Sequence, residues 1–351
     1  MNKIIQNSFF YIVVFCITYF IYVYPFETLN DLLFNKIISM RASLYYTVII
    51  SALVIFYFRS SENFKPLRYF VYEGMGIGFI SFWVVTIANL ISFLIPMYAS
   101  FLGFISLFII FVLSIISIYY GNKVFSKEIN IQSNKIDSKK SFIFISDIHL
   151  GSNSSQHLNK IINLINEYKY DFILIGGDLI DSSKIDLSVL RLFNSFNSPI
   201  FYVTGNHEYY IKNSNQFLNN LKLYNIQHVS NKSLPIDYIN LIGINDNLTP
   251  QSQIEYVMKN IDNNKYNLLL IHKPSIWTKI NKNIDLMLSG HTHNGQIFPF
   301  NLFVRLKFKF KYGLFTQDKS HLYVSSGAAP WGPKMRLGTF NEIILFHLLP
   351  N

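Results

Sequence analysis

Five short clusters in this chain combine residue types suited to metal-dependent hydrolysis. They are Asp147-Ile148-His149, Asp178 after Gly176-Gly177, Asn206-His207-Glu208 after Gly205, a lone His272, and His291-Thr292-His293 after Gly290. Imidazole with carboxylate suits first-row transition ions, whereas an all-carboxylate or carbonyl cage suits calcium or magnesium. Histidine is also a common proton carrier near neutral pH. All nine histidines lie beyond residue 122, so the chemistry belongs to the downstream part of the chain. The single cysteine, Cys16, sits in an apolar run, which leaves no disulfide framework and no cysteine-based zinc site.

Something must hold these clusters together, because they are spread over almost 150 residues. Each follows a short apolar run of strand length. The expected strands are 141–145, 172–175, 200–203, 239–244, 268–271, 286–288, 322–325 and 342–346. Helical spacing predicts helices over 157–168, 187–196 and 215–223. Strand runs separated by helical segments indicate an α/β layered fold. In such sheets ligands bind beyond the carboxyl ends of the strands, which is where all five clusters fall. Asp-x-His and His-x-His at a strand end also put two side chains on one side.

The upstream part is of another kind. Half of the 351 residues are hydrophobic and only 14% are charged, against about 25% in soluble domains. Apolar runs cover 9–24, 44–58, 74–97 and 99–120. A membrane span needs about 20 apolar residues, so four spans are expected. The first two are short and call for interfacial flanks, for which Tyr19, Tyr22, Tyr24, Tyr45 and Tyr46 are candidates. The first run lacks the small-residue site of a cleaved signal. Lys3, Arg59, Lys65, Arg68, Lys123, Lys127, Lys135, Lys139 and Lys140 would share one side, with only Lys36 and Arg41 opposite. The positive-inside tendency then makes both termini and the catalytic half cytoplasmic, as a multi-pass protein of a bacterial inner membrane. The expected organisation is a transmembrane region over 1–122, a linker over 123–140 and a catalytic domain over 141–351. The net charge of +10 comes with no nucleic-acid motif. Anionic lipid headgroups or a phosphorylated substrate account for it, and no protein partner is indicated.

The five clusters, in this order, resemble the calcineurin-like metallophosphoesterase family, with its Asp-x-His, Gly-Asp, Gly-Asn-His-(Asp/Glu), lone His and Gly-His-x-His. The likeness covers residues from Ser141 onward. It is closest to the branch with an N-terminal multi-span membrane region, on the strength of 290–296 and Trp331-Gly332-Pro333-Lys334-Met335-Arg336. The resemblance implies two mixed β-sheets flanked by helices and two divalent metal ions, manganese foremost, with iron or zinc as alternatives. It implies that Asp147, His149 and His293 hold one metal and that Asn206, His272 and His291 hold the other, with Asp178 bridging them. His207 would stand beside the leaving-group oxygen as proton donor or charge stabiliser. Asp181 and Glu208 flank the motifs and are expected behind the ligands, orienting a histidine through its other nitrogen. Asn294 stands where relatives often have glycine and is a candidate substrate contact.

Other residues admit plainer readings. His157, His228, His321 and His347 match no motif and are expected to be structural or at the surface, with an approach of His321 to the site as the alternative. Arg336 is either a phosphate contact, through its bidentate fork, or part of a core or surface pair. Segment 300–310 alternates basic and aromatic residues as an edge strand would, and alternatively forms a membrane-surface dock. The expected activity is hydrolysis of a phosphodiester or pyrophosphate bond, with a lipid-linked substrate such as UDP-2,3-diacylglucosamine. The alternatives are a broad phosphodiesterase or phosphatase merely tethered to the membrane, and a membrane sensor carrying a low-activity phosphoesterase domain.

Overall fold

The computed structural model describes residues 3–60, 64–183 and 185–351. Its contacts fall into two compact units, one of residues 1–119 with 332–335 and one of residues 120–331 with 336–351.

The first unit is helical. Helix α1 (Lys3–Thr18) runs through a π-helical turn (Tyr19–Val23) into α2 (Tyr24–Phe34), followed by α3 (Met40–Arg59), α4 (Lys65–Leu94) and α5 (Ala99–Asn122). Four stretches are long and apolar enough to cross a bilayer: Phe9–Phe34, Met40–Arg59, Pro66–Leu94 and Pro96–Asn122. The first two are therefore not short, at 26 and 20 residues. Pro25 does not end the first, because it lies just after the π-helical turn Tyr19–Val23, where the ladder has already left the regular α pattern, and the chain continues as α2. In the others hydroxyl side chains satisfy themselves by bonding back to the preceding turn, as Thr47 does to the Ser43 carbonyl at 2.7 Å. Burial here is inverted relative to a soluble bundle. Ser43, Thr47, Ser51, Ser114 and Ser117 point inward, while Phe93, Leu94 and Phe108 stand exposed. Small residues between helices with large apolar ones outside is the arrangement a hydrocarbon solvent favours.

The second unit is α/β. In chain order it contains β1 (Val124–Gln132), β2 (Lys140–Ile145), α6 (Ser155–Ile165), β3 (Phe172–Ile175), β4 (Ile200–Tyr202), α7 (Ser214–Asn220), β5 (Ile226–His228), β6 (Lys232–Ile236), β7 (Ile239–Gly243), α8 (Pro250–Lys259), β8 (Tyr266–Leu270), α9 (Trp277–Ile280), β9 (Leu286–Ser289), α10 (Phe300–Lys307), β10 (Gly313–Gln317), β11 (Ser320–Val324) and β12 (Asn341–Leu349). Two six-stranded sheets result, in the orders β1-β12-β2-β3-β4-β5 and β10-β11-β9-β8-β7-β6. Both are mixed, with parallel centres: β2-β3-β4-β5 in one and β7-β8-β9-β11 in the other.

Strand alternation builds the layers. Phe142 and Phe144 point between the sheets, where Phe142 stacks on Phe172 and Phe346 at 5.1 Å each, while Ile143 and Ile145 point to the other face and meet α6. The far face of the second sheet packs on α8 and α9 through Val257, Trp277 and Ile280. Helix, sheet, sheet, helix is therefore the layer order, as the resemblance implied.

Several stretches differ from expectation. Much of the 123–140 linker is strand β1, which pairs in parallel with β12 from Val124–Asn341 to Gln132–Leu349. Only Ile129 and Ile131 of it are buried, so its pattern looks like a polar connection. Its partner lies at the other end of the domain, and a parallel pair joined by so long a crossover leaves no local signal. Segment 300–310 is no edge strand, since 300–307 is the helix α10. Its apolar residues fall at 300, 303 and 306 and at 302 and 306, spacings of three and four that share one helical side. Helix α8 was not expected at all, although Thr249 caps it by accepting the Ser252 N–H at 3.2 Å and Pro250 opens it.

Candidate active site

Five strands deliver the clusters to one place. Asp147 and His149 follow β2, Asp178 follows β3, Asn206 and His207 follow β4, His272 follows β8, and His291 and His293 follow β9. Because β2-β3-β4 and β8-β9 are parallel neighbours, their carboxyl ends open on the same side. The loops cross-brace one another. Asp147 donates its N–H to the Gly177 carbonyl at 3.0 Å, and His149 its own to the Asp178 carbonyl at 2.9 Å. The His291 N–H reaches the Asp147 carboxylate at 3.1 Å, and that of His207 reaches Asp178 Oδ1 at 2.9 Å. A Cβ on Gly290 would stand 2.2 Å from Asp147 Oδ2, so no other residue lets this loop approach so closely. Asp147, His149, Asp178, His291 and His293 all take positive φ, between 48° and 73°. Strain of this kind in five side-chain-bearing residues at one place marks a functional site.

Among the described residues the side chains form three groups that could hold a metal ion: Asp147 with His149 and His293, Asp178 with His272 and His291, and His149 with Asp181 and His207, which shares His149 with the first. In the first, His149 Nε2 lies 3.1 Å from His293 Nε2, and His293 Nε2 lies 3.4 Å from Asp147 Oδ1. In the second, His272 Nε2 lies 3.2 Å from His291 Nδ1 and 3.1 Å from Asp178 Oδ2. The same Asp178 oxygen is 3.7 Å from His149 Nε2, so it faces both groups.

The residues fit divalent cations. Burial works against a charged His149, yet Asp147 and Asp181 outweigh it and raise the imidazole to about 10. Asp178 does the same for His272, also to about 10, against the same burial. Their partners go the other way. Burial and then the charge of His272 push His291 down to about 3, and His293 is held low by burial. Each nitrogen pair at 3.1–3.2 Å thus shares one positive charge, which a cation can replace. Asp147 and Asp178 would be raised by burial alone, but the surrounding imidazoles pull both carboxyls well below their usual range. Asn206 Oδ1 is buried with no hydrogen-bond partner among the described residues, as an oxygen reserved for a metal would be.

Around these groups the expectations divide. His207 keeps its side chain partly exposed, with Nε2 3.9 Å from Asp178 Oδ2 and its ring edge-on to His149 at 4.7 Å. Burial lowers its pKa, which favours the neutral ring. Asp181 faces the far nitrogen of His149 at 3.5 Å and accepts the Ser152 N–H at 2.9 Å. Glu208 orients no histidine. Its carboxylate accepts the backbone N–H groups of Leu179, Gly205, Asp178 and Ile180 at 2.6–3.2 Å, tying the loops after β3 and β4 together. Arg336 is not available to a phosphate. It is fully buried and donates to the carbonyls of His293, Ser326 and Ala329 and to Asn341 Oδ1. A guanidinium five residues before β12 meets carbonyls that only the folded chain assembles. Asn294 is half-buried in a left-handed turn, its N–H bonded to Thr292 Oγ1.

Three of the four remaining histidines lie in other bonds. His157 Nε2 meets the Ala328 carbonyl at 3.0 Å, His321 Nδ1 meets Thr316 Oγ1 at 3.0 Å, and His347 Nδ1 meets Ser141 Oγ at 2.7 Å. His228 ends β5 beside Tyr202, its ring 5.9 Å away. Sequence reasoning missed Trp331 and Tyr210, exposed aromatics 5.3 and 5.5 Å from the His207 ring. Tyr210 lies three residues beyond His207 and gives its N–H to the His207 carbonyl at 3.0 Å, a spacing that could have found it, whereas no local spacing connects Trp331.

The sequence pattern of the family described as calcineurin-like phosphoesterase matches residues 140–295. An uncharacterized metallophosphoesterase of Helicobacter pylori (strain J99) is 37% identical over 238 residues, covering 64% of this chain and 64% of that protein. One from Aquifex aeolicus is 31% identical over 215 residues, covering 57% of this chain and 81% of that protein. A bovine transmembrane protein with metallophosphoesterase domain is 32% identical over 229 residues, covering 57% of this chain and 51% of its own length. The chain thus spans less than two thirds of the Helicobacter and bovine relatives. The matched residues contain every candidate ligand, on the strand ends where the two groups form, and the chain belongs to the calcineurin-like phosphoesterase family.

Proposed function

We propose that this chain is a membrane-held phosphoesterase that uses two divalent metal ions to hydrolyse a phosphodiester or pyrophosphate bond. The observation that carries the proposal is the pair of ligand groups facing a shared Asp178. On this reading Asp147, His149 and His293 hold one ion, Asn206, His272 and His291 hold the other, and Asp178 serves both. When bound, such ions supply positive charge to the phosphoryl oxygens and make water acidic enough to act as a nucleophile at neutral pH; manganese, iron and zinc all suit this donor set. Asp181 steadies His149 from behind, and Glu208 fixes the loops that carry Asp178 and Asn206. His207, neutral and partly exposed at the rim, is placed to bond the leaving-group oxygen and to assist its departure.

The four membrane-length helices support a substrate met at a bilayer, and a lipid-linked diester or pyrophosphate is the finer reading. UDP-2,3-diacylglucosamine is one member of that class. The deciding assay uses full-length protein in detergent, with bound metals counted for wild type and Asp178→Ala. Wild type is expected to carry about two ions per chain, and the variant to lose both metal and turnover. A folded wild type that binds no metal and cleaves nothing overturns the proposal. Equal turnover on lipid-linked and water-soluble diesters would sink the finer reading alone and leave the helices as an anchor.

A further inference from the structure

Helix α10 has no buried residue. Together with the residues just before it, it presents Phe298, Phe300, Leu302, Phe303 and Leu306 to the outside, with Leu306 86% exposed. Elsewhere on the α/β unit exposed large apolar side chains stand singly, as at Leu223 or Met258, or as pairs, as Phe125 with Phe340. A contiguous apolar patch on a surface helix marks an interaction site. The charge around it has one sign. Residues 298–311 contain Arg305, Lys307, Lys309 and Lys311 and no acidic residue.

We propose that α10 is an interfacial helix that inserts its apolar side at the polar–apolar boundary of an anionic bilayer. Apolar residues on one side with Lys and Arg beside them is the composition such helices use, the long basic side chains reaching headgroup phosphates. A second copy of the chain is the weaker occupant. A symmetric dimer would set the patch against itself and oppose four positive charges to four. A bilayer is also available, since the chain carries four helices that can cross one.

The helix is tied to the metal site at both ends. A Cβ on Gly295, two residues beyond His293, would stand 2.2 Å from Asn301 Cα, so α10 begins hard against the histidine loop. At its other end Phe308 lies edge-on to His291 at 5.4 Å, and Thr292 bonds the Lys311 carbonyl. Docked in this way, α10 would hold the mouth of the site at headgroup level. This rests on the bilayer reading above and extends it from the spans to the catalytic unit.

The test uses full-length protein in phosphatidylcholine vesicles with and without phosphatidylglycerol. A spin label is placed through Leu306→Cys in a Cys16→Ser background, with Leu223→Cys as a surface control and Phe108→Cys as a control for the helices. With phosphatidylglycerol the label at 306 should show lipid depth, more accessible to oxygen than to a water-soluble nickel chelate, while 223 remains aqueous. Combining Arg305→Glu, Lys307→Glu and Lys309→Glu should return position 306 to water. An aqueous 306 in both vesicle types, with 108 at lipid depth, overturns the proposal and leaves membrane anchoring intact. An aqueous 108 would instead count against the spans. Dipolar coupling between labels at 306 that disappears on spin dilution would identify a second copy as the occupant and also overturn it. Metal content and turnover of a soluble diester, measured on the same samples, separate any failure here from failure of the phosphoesterase reading.

Discussion

At the scale of single residues, the site separates groups that would hold metal from groups that would move protons. His207 belongs to neither of the two groups that Asp178 faces, its Nε2 standing 3.9 Å from Asp178 Oδ2. Replacing it with Gln should leave metal content unchanged and lower kcat by about 10²–10⁴ on esters with poor leaving groups, the usual contribution of a general acid. The loss should shrink on p-nitrophenyl esters, whose leaving group departs without a proton, and the comparison of the two substrates checks the role. Equal losses on both would remove His207 from leaving-group assistance. Arg336 shows how a residue type can mislead at this scale. Its fork suits phosphate, yet its donors are taken by carbonyls, one of them belonging to His293 itself.

At the scale of elements, the strands decide what is rigid. β1 closes the first sheet by covering β12 over its whole length, and Ile131 is its most buried side chain. Ile131→Ala should cost about 2–5 kcal/mol, the range for deleting a buried aliphatic chain, seen as a lower denaturation midpoint. Asn130→Ala, at an exposed position of the same strand, should be close to neutral if β1 belongs to the core. β5 carries a pH-sensitive group. Burial first, then the charge of Lys232, pushes His228 down to about 4 from an ordinary 6.5. Between those values the unfolded chain binds a proton that the folded chain does not, so stability falls as pH drops through the window and is fully present above it. His228→Asn should flatten the melting temperature between pH 6.5 and 4 relative to wild type. Superimposable profiles would show that the ring takes up its proton without cost.

At the scale of the whole molecule, the distribution of charge proposes an orientation. Arg59 and Arg68 flank one side of the apolar helices, Lys36 and Arg41 the other. With both termini and the α/β unit cytoplasmic, cysteine introduced at Asn351 should resist a membrane-impermeant maleimide in intact cells. One introduced at Lys36 should react, once Cys16 is replaced. The reverse labelling pattern would put the catalytic unit outside and require an extracytoplasmic substrate.

Much of this protein was determined by residues that neighbours in sequence explain. Short apolar runs ending in Asp-x-His, Gly-Asp or Gly-His-x-His give both a strand and what its end must carry, because strand period and turn chemistry act within a few residues. The four apolar stretches are visible for the same reason, since crossing hydrocarbon depends on length and composition. What only the tertiary structure decided depends on partners far along the chain. The strand nature of 124–132 comes from β12, the helical turn at 300–307 from an ambiguity between periods two and three to four, and the capture of Arg336 from carbonyls on its own connection and on the loop of His293. Glu208 looked like a companion for a histidine and instead gathers four backbone N–H groups. Backbone donors are the same at every residue, so no sequence pattern announces where they will converge.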